Sequence, residues 1–303
     1  MQSFSYKINV QAASFICIMK LSKGFIYTFL TSLCWAISIV LARIVLSHGE
    51  NPYNLAFWTS ILAAPYWLYL FSTERKNVQR LTAKDIAILF GMAAISSVGV
   101  TFVEAFALTY SPAVNYSFLI RMVSVFVIIF AAIFLHEKIT RKKVILLATI
   151  LAGAYLLTTN GRELHLTTGD MFTLLEAMLL AIGNGVLIKL ATNRMTPNLG
   201  SSARVLIALI PMILIAMTHT SLHVPREFLL VLGITVCDFA LTYFQFRAFR
   251  HATASFVTMI MSFTPVLVAI MAVPVLRETL SPIQLAGGVL IISAGVLVEK
   301  LKV

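Results

Sequence analysis

Long runs of apolar residues, separated by short polar gaps, repeat along the whole chain. Each run has a length suited to a membrane-spanning helix, which takes about 17–25 residues. The gaps hold Pro, Gly, Asn or charged residues, which begin and end helices. The runs are continuous rather than alternating with period two, which disfavours a β-barrel. The pattern predicts an all-α polytopic membrane protein with ten transmembrane helices, at about residues 24–46, 55–71, 86–110, 113–135, 144–160, 169–190, 199–218, 227–246, 253–276 and 283–298.

The composition agrees with this pattern and excludes a soluble enzyme. Of the 303 residues, 59% are apolar and 12% are charged, which is about half the share of about 25% in an ordinary soluble domain. Ten spans of about 20 residues leave no room for a large soluble domain. The three cysteines, Cys17, Cys34 and Cys237, form no disulfide framework and no metal-ligand spacing. We therefore expect neither a metal nor a cofactor.

The positive charge is distributed in a way that predicts the orientation in the membrane. With the N-terminus placed inside, 18 Lys and Arg residues fall on the inner segments and four on the outer ones. Such an excess marks cytoplasmic loops. We expect both termini in the cytoplasm and a multi-pass protein of the cytoplasmic (inner) membrane. The net charge of +11 is then explained by the bilayer as partner, and nucleic acid is not expected to bind.

Residues 1–22 precede the first span and are expected to form an N-terminal extension. The apolar stretch from Val10 to Met19 is too short to span a membrane and lacks the small-residue cleavage motif of a signal peptide. Met19, just before Lys20 and Lys23, would serve as an alternative start. Whether residues 1–18 belong to the native protein is left open by the sequence.

Two halves of the chain resemble each other. Glu137-Lys-Ile-Thr140 matches Glu278-Thr-Leu-Ser281, and Pro65 in the second span matches Pro211 in the seventh. The matches predict two five-helix repeats, at residues 23–160 and 168–300. Because five is odd, the second repeat enters the membrane with the opposite polarity. This inverted-repeat arrangement places a binding site near the midplane between the halves in many transporters.

Polar residues on six spans recur at helical spacing and predict a shared cavity. Polar side chains are costly in lipid and are expected to face protein or water. The alternative is that Ser and Thr hydroxyls bond their own backbone and that small residues let helices pack. Spans 1, 3, 4, 6, 8 and 9 would line a water-accessible cavity, and spans 2, 5, 7 and 10 would be scaffold. The stripes are Thr31, Trp35 and Ser38; Ser97, Thr101 and Glu104; Ser117, Arg121 and Ser124; Glu176, Leu180 and Gly183; Asp238, Thr242 and Gln245; and Thr258, Ser262 and Pro265.

Four ionisable residues within the spans are the strongest candidates for function. Glu104 and Arg121 lie at similar depth on consecutive spans and are expected to pair, either as a structural ion pair or as part of the site. Three carboxyl groups and one guanidinium favour a cationic or zwitterionic solute. Arg121 would hold a substrate carboxylate or phosphate. Asp238, near the midplane and without an evident partner, is the candidate for carrying a coupling proton.

The candidate site extends to neutral and aromatic residues near these four. Tyr116 would help to complete the pocket, although packing is the commoner role of a buried aromatic side chain. The candidate substrate-binding residues are Arg121, Glu104, Glu176, Asn184, Trp35, Tyr243, Gln245, Thr258 and Ser262. His219 and His223 are four residues apart in an expected loop, but two histidines are an incomplete metal-ligand set.

Several of these features together resemble the drug/metabolite transporter superfamily in its EamA-like branch. They are the ten spans in two halves, Trp35-Ala36 in the first span, and the ending Glu278-Thr-Leu-Ser281 followed by Gly287-Gly-Val-Leu-Ile-Ile-Ser-Ala-Gly295. The resemblance implies secondary transport of small metabolites, often export of amino acids or related compounds. It also implies a cavity lined by helices 1, 3, 4, 6, 8 and 9. Ala36 stands where the family often has Gly, and Arg204 fits an arginine that the family often carries early in the second helix of a repeat.

The sequence thus predicts a secondary active transporter that works by alternating access. The expected substrate is a small polar metabolite: an amino acid, an amine or a nucleoside-like compound. Proton coupling and exchange are both open, as is a homodimer. No GxxxxGK[ST] loop is present, so direct ATP coupling within the chain is not expected. A channel or a lipid-moving protein is the alternative. An intramembrane enzyme is disfavoured because HExxH and GxSxG are absent.

Overall fold

The computed structural model describes residues 21–111, 113–165, 167–276 and 279–302, and within them it forms ten long helices without strands. The extension expected at residues 1–22 lies almost wholly outside these residues. A one-turn helix, Arg75–Val78, joins the second and third long helices. The long helices are α1 (Lys23–Ser47), α2 (Pro52–Thr73), α3 (83–110), α4 (113–134), α5 (Arg141–Thr159), α6 (Thr168–Arg194), α7 (Pro197–His219), α8 (Phe228–His251), α9 (254–276) and α10 (Pro282–Leu301).

The structure confirms the predicted all-α architecture, and the helix ends differ from the predicted runs by at most five residues. Several helices begin with a polar first turn that is fixed by a cap, whereas α6 and α8 extend four and five residues past their predicted ends. Asn51 caps α2, and its side chain accepts a hydrogen bond from the Tyr53 N–H. Ser281 and Gln284 form a reciprocal capping box around Pro282 at the start of α10, as expected for a proline at the first helical position. Hydropathy does not register these turns, because their residues are not apolar.

The helix packing has the pattern of two halves related by a two-fold exchange. The most extensive contacts are α1 with α8, α5 with α10, α2 with α7, and α3 with α6. Exchanging the halves converts α1–α8 into α6–α3 and maps α2–α7, α5–α10 and α4–α9 onto themselves. This is what two inverted five-helix repeats produce.

Both ends of the described chain lie on the same face of the bundle. The Ser22 N–H and Oγ donate to the Glu299 carboxylate at 2.8 and 3.0 Å, which joins the start of α1 to the end of α10. We call this face the terminal face and the opposite one the distal face. The α3 and α6 seam and the α1 and α8 seam both run from one face to the other.

The outside of the bundle is apolar, as a bilayer requires. Leu229 is 80% exposed, Met171 71% and Ile210 67%. Water would penalise so many exposed large side chains, whereas lipid does not. Trp67, Phe246 and Phe249 are among the largest fully buried side chains in the described part of the chain. Nine of the described helices are long and apolar enough to cross a membrane by composition, and α3 is the tenth long helix.

Four helices depart from regular α geometry near their middles. In α3 the segment Ala94–Gly99 is a π-helix, and in α6 the segment Ala181–Leu187 is one too. The two π segments contact each other. A Cβ on Gly183 would lie 2.7 Å from the Ser96 Cβ, so the close approach needs a glycine. In α4 the turn Ile120–Met122 is a 3₁₀-helix, and α9 is interrupted between Met261 and Thr264.

The α5–α10 contact brings two backbones together. A Cβ on Gly153 would lie 2.7 Å from the Gly287 carbonyl oxygen, and a Cβ on Gly287 would lie 2.5 Å from that of Gly153. Close packing at Gly287 agrees with the role predicted for small residues in membrane helices. This pair lies away from the α3–α6 and α1–α8 seams.

Candidate functional site

A cluster of acidic and aromatic side chains occupies the distal half of the α3–α6 seam. The Tyr116 hydroxyl of α4 donates to the Glu176 Oε1 of α6 at 3.0 Å. The Glu104 carboxyl of α3 interacts with the same hydroxyl, and the two carboxylates are close enough to interact electrostatically. We call Glu104, Tyr116 and Glu176 the distal cluster. From the helix ends, Glu104 lies about 9 Å and Glu176 about 12 Å below the distal face.

A second set of hydrogen bonds, closer to the distal face, holds these three helices in register. The Asp170 carboxylate in the first turn of α6 accepts from the Asn115 side chain of α4 at 2.8 Å and from the Ser111 hydroxyl at the end of α3. It also accepts from the Thr167 N–H at 2.6 Å, which caps α6. Gly169 lies directly against the Tyr110 backbone. Asp170 therefore holds in place the three helices that carry the distal cluster, which lies one to two turns deeper in the bundle.

Three polar atoms in this region have no hydrogen-bond partner among the described residues. They are Arg121 Nε, Glu176 Oε2 and Asn184 Oδ1, and each is enclosed by protein. Arg121 lies in the 3₁₀ turn of α4, and Asn184 lies in the π segment of α6. Asn184 lies about 12 Å farther along α6 than Glu176. Buried polar atoms are normally paired, so unpaired ones need an explanation such as a ligand or ordered water.

The expected Glu104–Arg121 ion pair is wrong. Within the described part of the chain no contact of 4 Å or less joins these two groups. Similar depth on consecutive helices does not fix the direction in which side chains point. The Tyr116 hydroxyl interacts electrostatically with Glu104, Glu176 and Arg121 alike, and it takes the carboxylates as its partners.

The fourth ionisable residue, Asp238, lies in the other seam. The Ser38 hydroxyl of α1 donates to its Oδ1 at 2.5 Å. The expectation that Asp238 lacks a partner is therefore wrong, because the two seam helices bring Ser38 to the same level. Cys34 and Cys237 are close enough to interact electrostatically with Asp238. Asp238 is about 15 Å from the distal end of α8, near the middle of the bundle.

Two of the remaining predicted residues form hydrogen bonds within their own helix, and two others are buried or partly buried. The Thr258 hydroxyl donates to the Ala254 carbonyl and the Ser262 hydroxyl donates to the Thr258 carbonyl, so both bond their own helix in this conformation. This agrees with the backbone-bonding alternative for hydroxyls. Gln245 is buried and Trp35 is partly buried. The side chains of Ser97 and Thr101 lie outside the described part of the structure.

Tyr243 is covered by a cation. The Arg247 guanidinium lies 3.4 Å from the centre of the Tyr243 ring, and its Nη2 donates to Asn198 Oδ1 of α7 at 2.8 Å. Such stacking is a cation–π contact. One face of the Tyr243 ring is thus covered by Arg247 in this structure.

The histidines near the distal face are bound to protein groups. His223 Nε2 lies 3.2 Å from Glu50 Oε1, and the His219 ring stacks on Tyr53 with 4.7 Å between centroids. Among the described residues there is no group of three His, Cys, Asp or Glu side chains that would hold a metal ion. His219 and His223 therefore support the α2–α7 contact.

Sequence reasoning missed two features of this region. Asp170 was outside every polar stripe, although its capping position after Thr167 was readable as a helix start. Arg204 was noted only for its position in α7, yet its Nη1 is enclosed and unpaired. A lone arginine among apolar residues was the available signal.

Comparison with known proteins gives a consistent result for both halves. The model of the EamA-like transporter family matches residues 22–159 and, a second time, residues 167–299. A protein of solved crystal structure shares the fold with a TM-score of 0.72, at 14% identity, over 92% of this chain and 96% of the other. No curated protein sequence matches significantly.

Proposed function

Because this chain belongs to the EamA-like transporter family and is therefore a multi-pass membrane transporter, we propose that it is a secondary active carrier for a small zwitterionic metabolite. An amino acid or a closely related amine fits best, with a nucleoside-like compound as the more distant member of the class. The carrier works by alternating access of a site between the two repeats. Its membrane is the cytoplasmic one, with the terminal face inside, as the distribution of Lys and Arg predicts.

The single observation that carries this proposal is the set of unpaired polar atoms near the distal cluster. Glu176 Oε2 is an acceptor for an ammonium group, and Arg121 Nε is a donor for a carboxylate. A zwitterion offers both partners at once. An arginine and carboxylates without direct contact between them leave each free for the substrate, whereas a mutual ion pair would satisfy both.

The location of these residues supports alternating access. Glu104, Arg121 and Tyr116 come from the first repeat, and Glu176 and Asn184 come from the second. A relative movement of the repeats would separate the two sets and change the site. The π segments of α3 and α6 meet just below, and π segments often mark functional positions.

Asp238 is proposed to carry the coupling proton. It lies near the midplane, in the α1–α8 seam, where a charge is costly and protonation removes that cost. Ser38 donates to its Oδ1, which stabilises the ionised form. Movement of α1 against α8 would remove this donor and favour protonation.

The test is a solute screen on purified protein in vesicles. Wild type is expected to show saturable uptake and counterflow of one or more amino acids or amines. Arg121→Ala is expected to abolish uptake or redirect it toward amines that lack a carboxylate. Arg162→Ala, at an exposed position before α6, is the matched control and should transport as wild type does. Normal uptake by Arg121→Ala would assign Arg121 a structural role.

The same vesicles separate a carrier from the alternatives. A channel would show flux without saturation and without counterflow. A lipid-moving protein would redistribute labelled lipid between leaflets without solute uptake. Either result in place of counterflow would contradict the carrier proposal.

A further inference from the structure

Arg204 is a partly buried arginine with an enclosed guanidinium nitrogen that no other feature of the structure explains. It lies at the start of the third turn of α7, about 10 Å from the terminal face. Its Nη1 is enclosed by protein atoms and has no hydrogen-bond partner. Within the described part of the chain, its side chain forms no hydrogen bond and no ion pair. A guanidinium has five donors, and burying its charge without a partner is costly.

The polar groups next to Arg204 along α7 are committed elsewhere. The Ser201 hydroxyl donates to the Pro197 carbonyl at 2.8 Å, and the Ser202 hydroxyl donates to the Asn198 carbonyl at 2.7 Å. The Asn198 side-chain oxygen accepts from Arg247. None of these three side chains accepts a hydrogen bond from Arg204.

The carboxylates of the terminal half are committed as well. Asp85 is bound to Arg194, and Glu137 accepts from the Ala254 and Ser255 N–H groups at the start of α9. Glu299 binds Ser22, and Glu74 binds Asn77 and Thr196. None of these four carboxylates contacts Arg204.

Three cations in this half donate hydrogen bonds to neutral acceptors rather than to a carboxylate. Lys189 Nζ donates to the Phe249 and Ala252 carbonyls at 2.7 Å each. Arg250 donates to the Thr192 carbonyl, and Arg247 to Asn198. Positive charge therefore collects where the terminal parts of α6 and α8 meet α7, the helix that carries Arg204. Positive charge of this kind attracts anions.

We propose that Arg204 is an anion-binding group, which takes a carboxylate or phosphate of the transported solute in the terminal half of the bundle. A guanidinium binds either group in a bidentate manner. Arg121 lies about 12 Å below the distal end of α4, so the two arginines stand on opposite sides of the midplane. An anionic group crossing the bundle would be held by Arg121 on one side and by Arg204 on the other. This inference rests on the proposed carrier function for its physiological meaning but not for its test.

The test uses the melting temperature, Tm, of the full chain in detergent. Inorganic phosphate and acetate are the probes, each added to a buffer that contains only large organic anions. The variants are Arg204→Met and the matched control Arg80→Met, which replaces an exposed arginine. Phosphate or acetate is expected to raise the Tm of wild type and of the control by a few degrees. Arg204→Met should lose most of that rise, and the double variant with Arg121→Met should lose all of it.

The buffer without added probe gives a second, independent readout. If Arg204 is unpaired in the protein alone, replacing it with an apolar side chain of similar length leaves the Tm unchanged or raises it. An arginine held by protein groups would instead lower the Tm when removed. Arg204→Lys keeps the charge but not the planar fork, so it should retain part of the probe response.

Three results would overturn the inference: a full probe response in Arg204→Met, no response to either probe in wild type, or a lower Tm of Arg204→Met without probe. These results are separate from the fate of the carrier proposal. Counterflow that depends on Arg121 but not on Arg204 would leave the carrier intact and remove the Arg204 site. A probe response that depends on Arg204, in a protein without counterflow, would support the Arg204 site and contradict the carrier proposal.

Discussion

The α3–α6 seam and the α1–α8 seam are equivalent in the two-fold exchange of the repeats, but they differ in shape and charge. The first contains two π segments in contact and the distal cluster with its two carboxylates. The second is built from two regular α-helices and has a single carboxylate, Asp238, bound to Ser38. The repeat positions that correspond to Glu104 and Glu176 are Gln245 and Thr31, which carry no charge.

This difference shows that the two-fold relation governs the scaffold and not the chemistry. Helix pairing needs only complementary apolar and small residues, which both repeats supply. A binding site for one asymmetric solute needs different groups at its two ends. The distal half of the bundle holds an unpaired acidic oxygen, Glu176 Oε2, and the terminal half holds cations that are bound to neutral acceptors.

The largest effect is expected at the charged seam. Glu176→Gln removes the negative charge and one of the two acceptor oxygens that would bind an ammonium group, and a hydrogen bond to a charged group contributes about 1.5–3 kcal/mol. Uptake should fall by about 10–150-fold. Glu163→Gln, in the exposed loop before α6, is the control in the same vesicle assay. Uptake within twofold of wild type in Glu176→Gln would place the site elsewhere.

The neutral seam should respond differently to loss of its carboxylate. Asp238→Asn removes the only titratable carboxyl group that the structure describes in α1 or α8. Uptake driven by a pH gradient should fall about tenfold, whereas counterflow at equal pH on both sides should persist, because the substrate contacts remain. Ser38→Ala, measured in parallel, should shift the pH dependence without abolishing uptake. Unchanged gradient-driven uptake in Asp238→Asn would remove Asp238 from proton coupling.

Gly183 allows the contact between the π segments to be tested by size alone. In Gly183→Ala the new Cβ would lie 2.7 Å from the Ser96 Cβ and 2.8 Å from its Oγ, and overpacking of this kind costs about 1–3 kcal/mol. In Gly91→Ala, on the same helix pair, the nearest atom is a Leu187 methyl at 3.5 Å, so little change is expected. Adding Ser96→Gly to Gly183→Ala should restore the Tm. A Gly183→Ala protein as stable as Gly91→Ala would contradict the close contact.

The smallest effect is expected at the terminal end of the charged seam. Asp85 lies before the apolar stretch of α3, and its hydrogen bonds to Arg194 and then to Thr82 lower its pKa to about 2. Because the folded pKa lies below the unfolded value of about 3.9, the contribution is present above pH 4. It is lost as the pH falls toward 2.

Asp85→Asn should therefore lower the Tm slightly at pH 7. The difference from wild type should shrink as the pH falls from 4 toward 2. Lys84→Gln, next to Asp85 and exposed, is the control. If the Tm difference between Asp85→Asn and wild type did not change with pH, the loss of stability would come from the Thr82–Asp85 helix cap and not from the charge of Asp85.

The fold was accessible from the sequence because the bilayer imposes long apolar runs. All ten helices were predicted, and the repeat was visible in matches such as Pro65 with Pro211. The π segments were not predicted, because Ala94–Gly99 and Ala181–Leu187 lie inside continuous runs that the hydropathy pattern assigns to single helices. Backbone geometry there depends on the facing helix rather than on local sequence.

The candidate site was accessible only in part. Placing ionisable residues by depth found Glu104, Arg121, Glu176 and Asp238, but depth gives no direction around a helix axis. The Tyr116 backbone lies about 5 Å from the distal end of α4, whereas Glu176 lies about 12 Å from the distal end of α6. The phenol of Tyr116 nevertheless reaches Glu176. Contacts that depend on side-chain reach, such as this one, need coordinates.

The α5–α10 contact constrains how the two halves can rearrange. The Gly153 and Gly287 backbones touch with no side chain between them, so these helices have no layer of flexible groups that could slide. In the proposed alternating access we expect this contact to act as the pivot, so that the displacement would grow with distance from it. Helices remote from the pivot, such as α2 and α7, are accordingly the ones that would sweep through the widest arc.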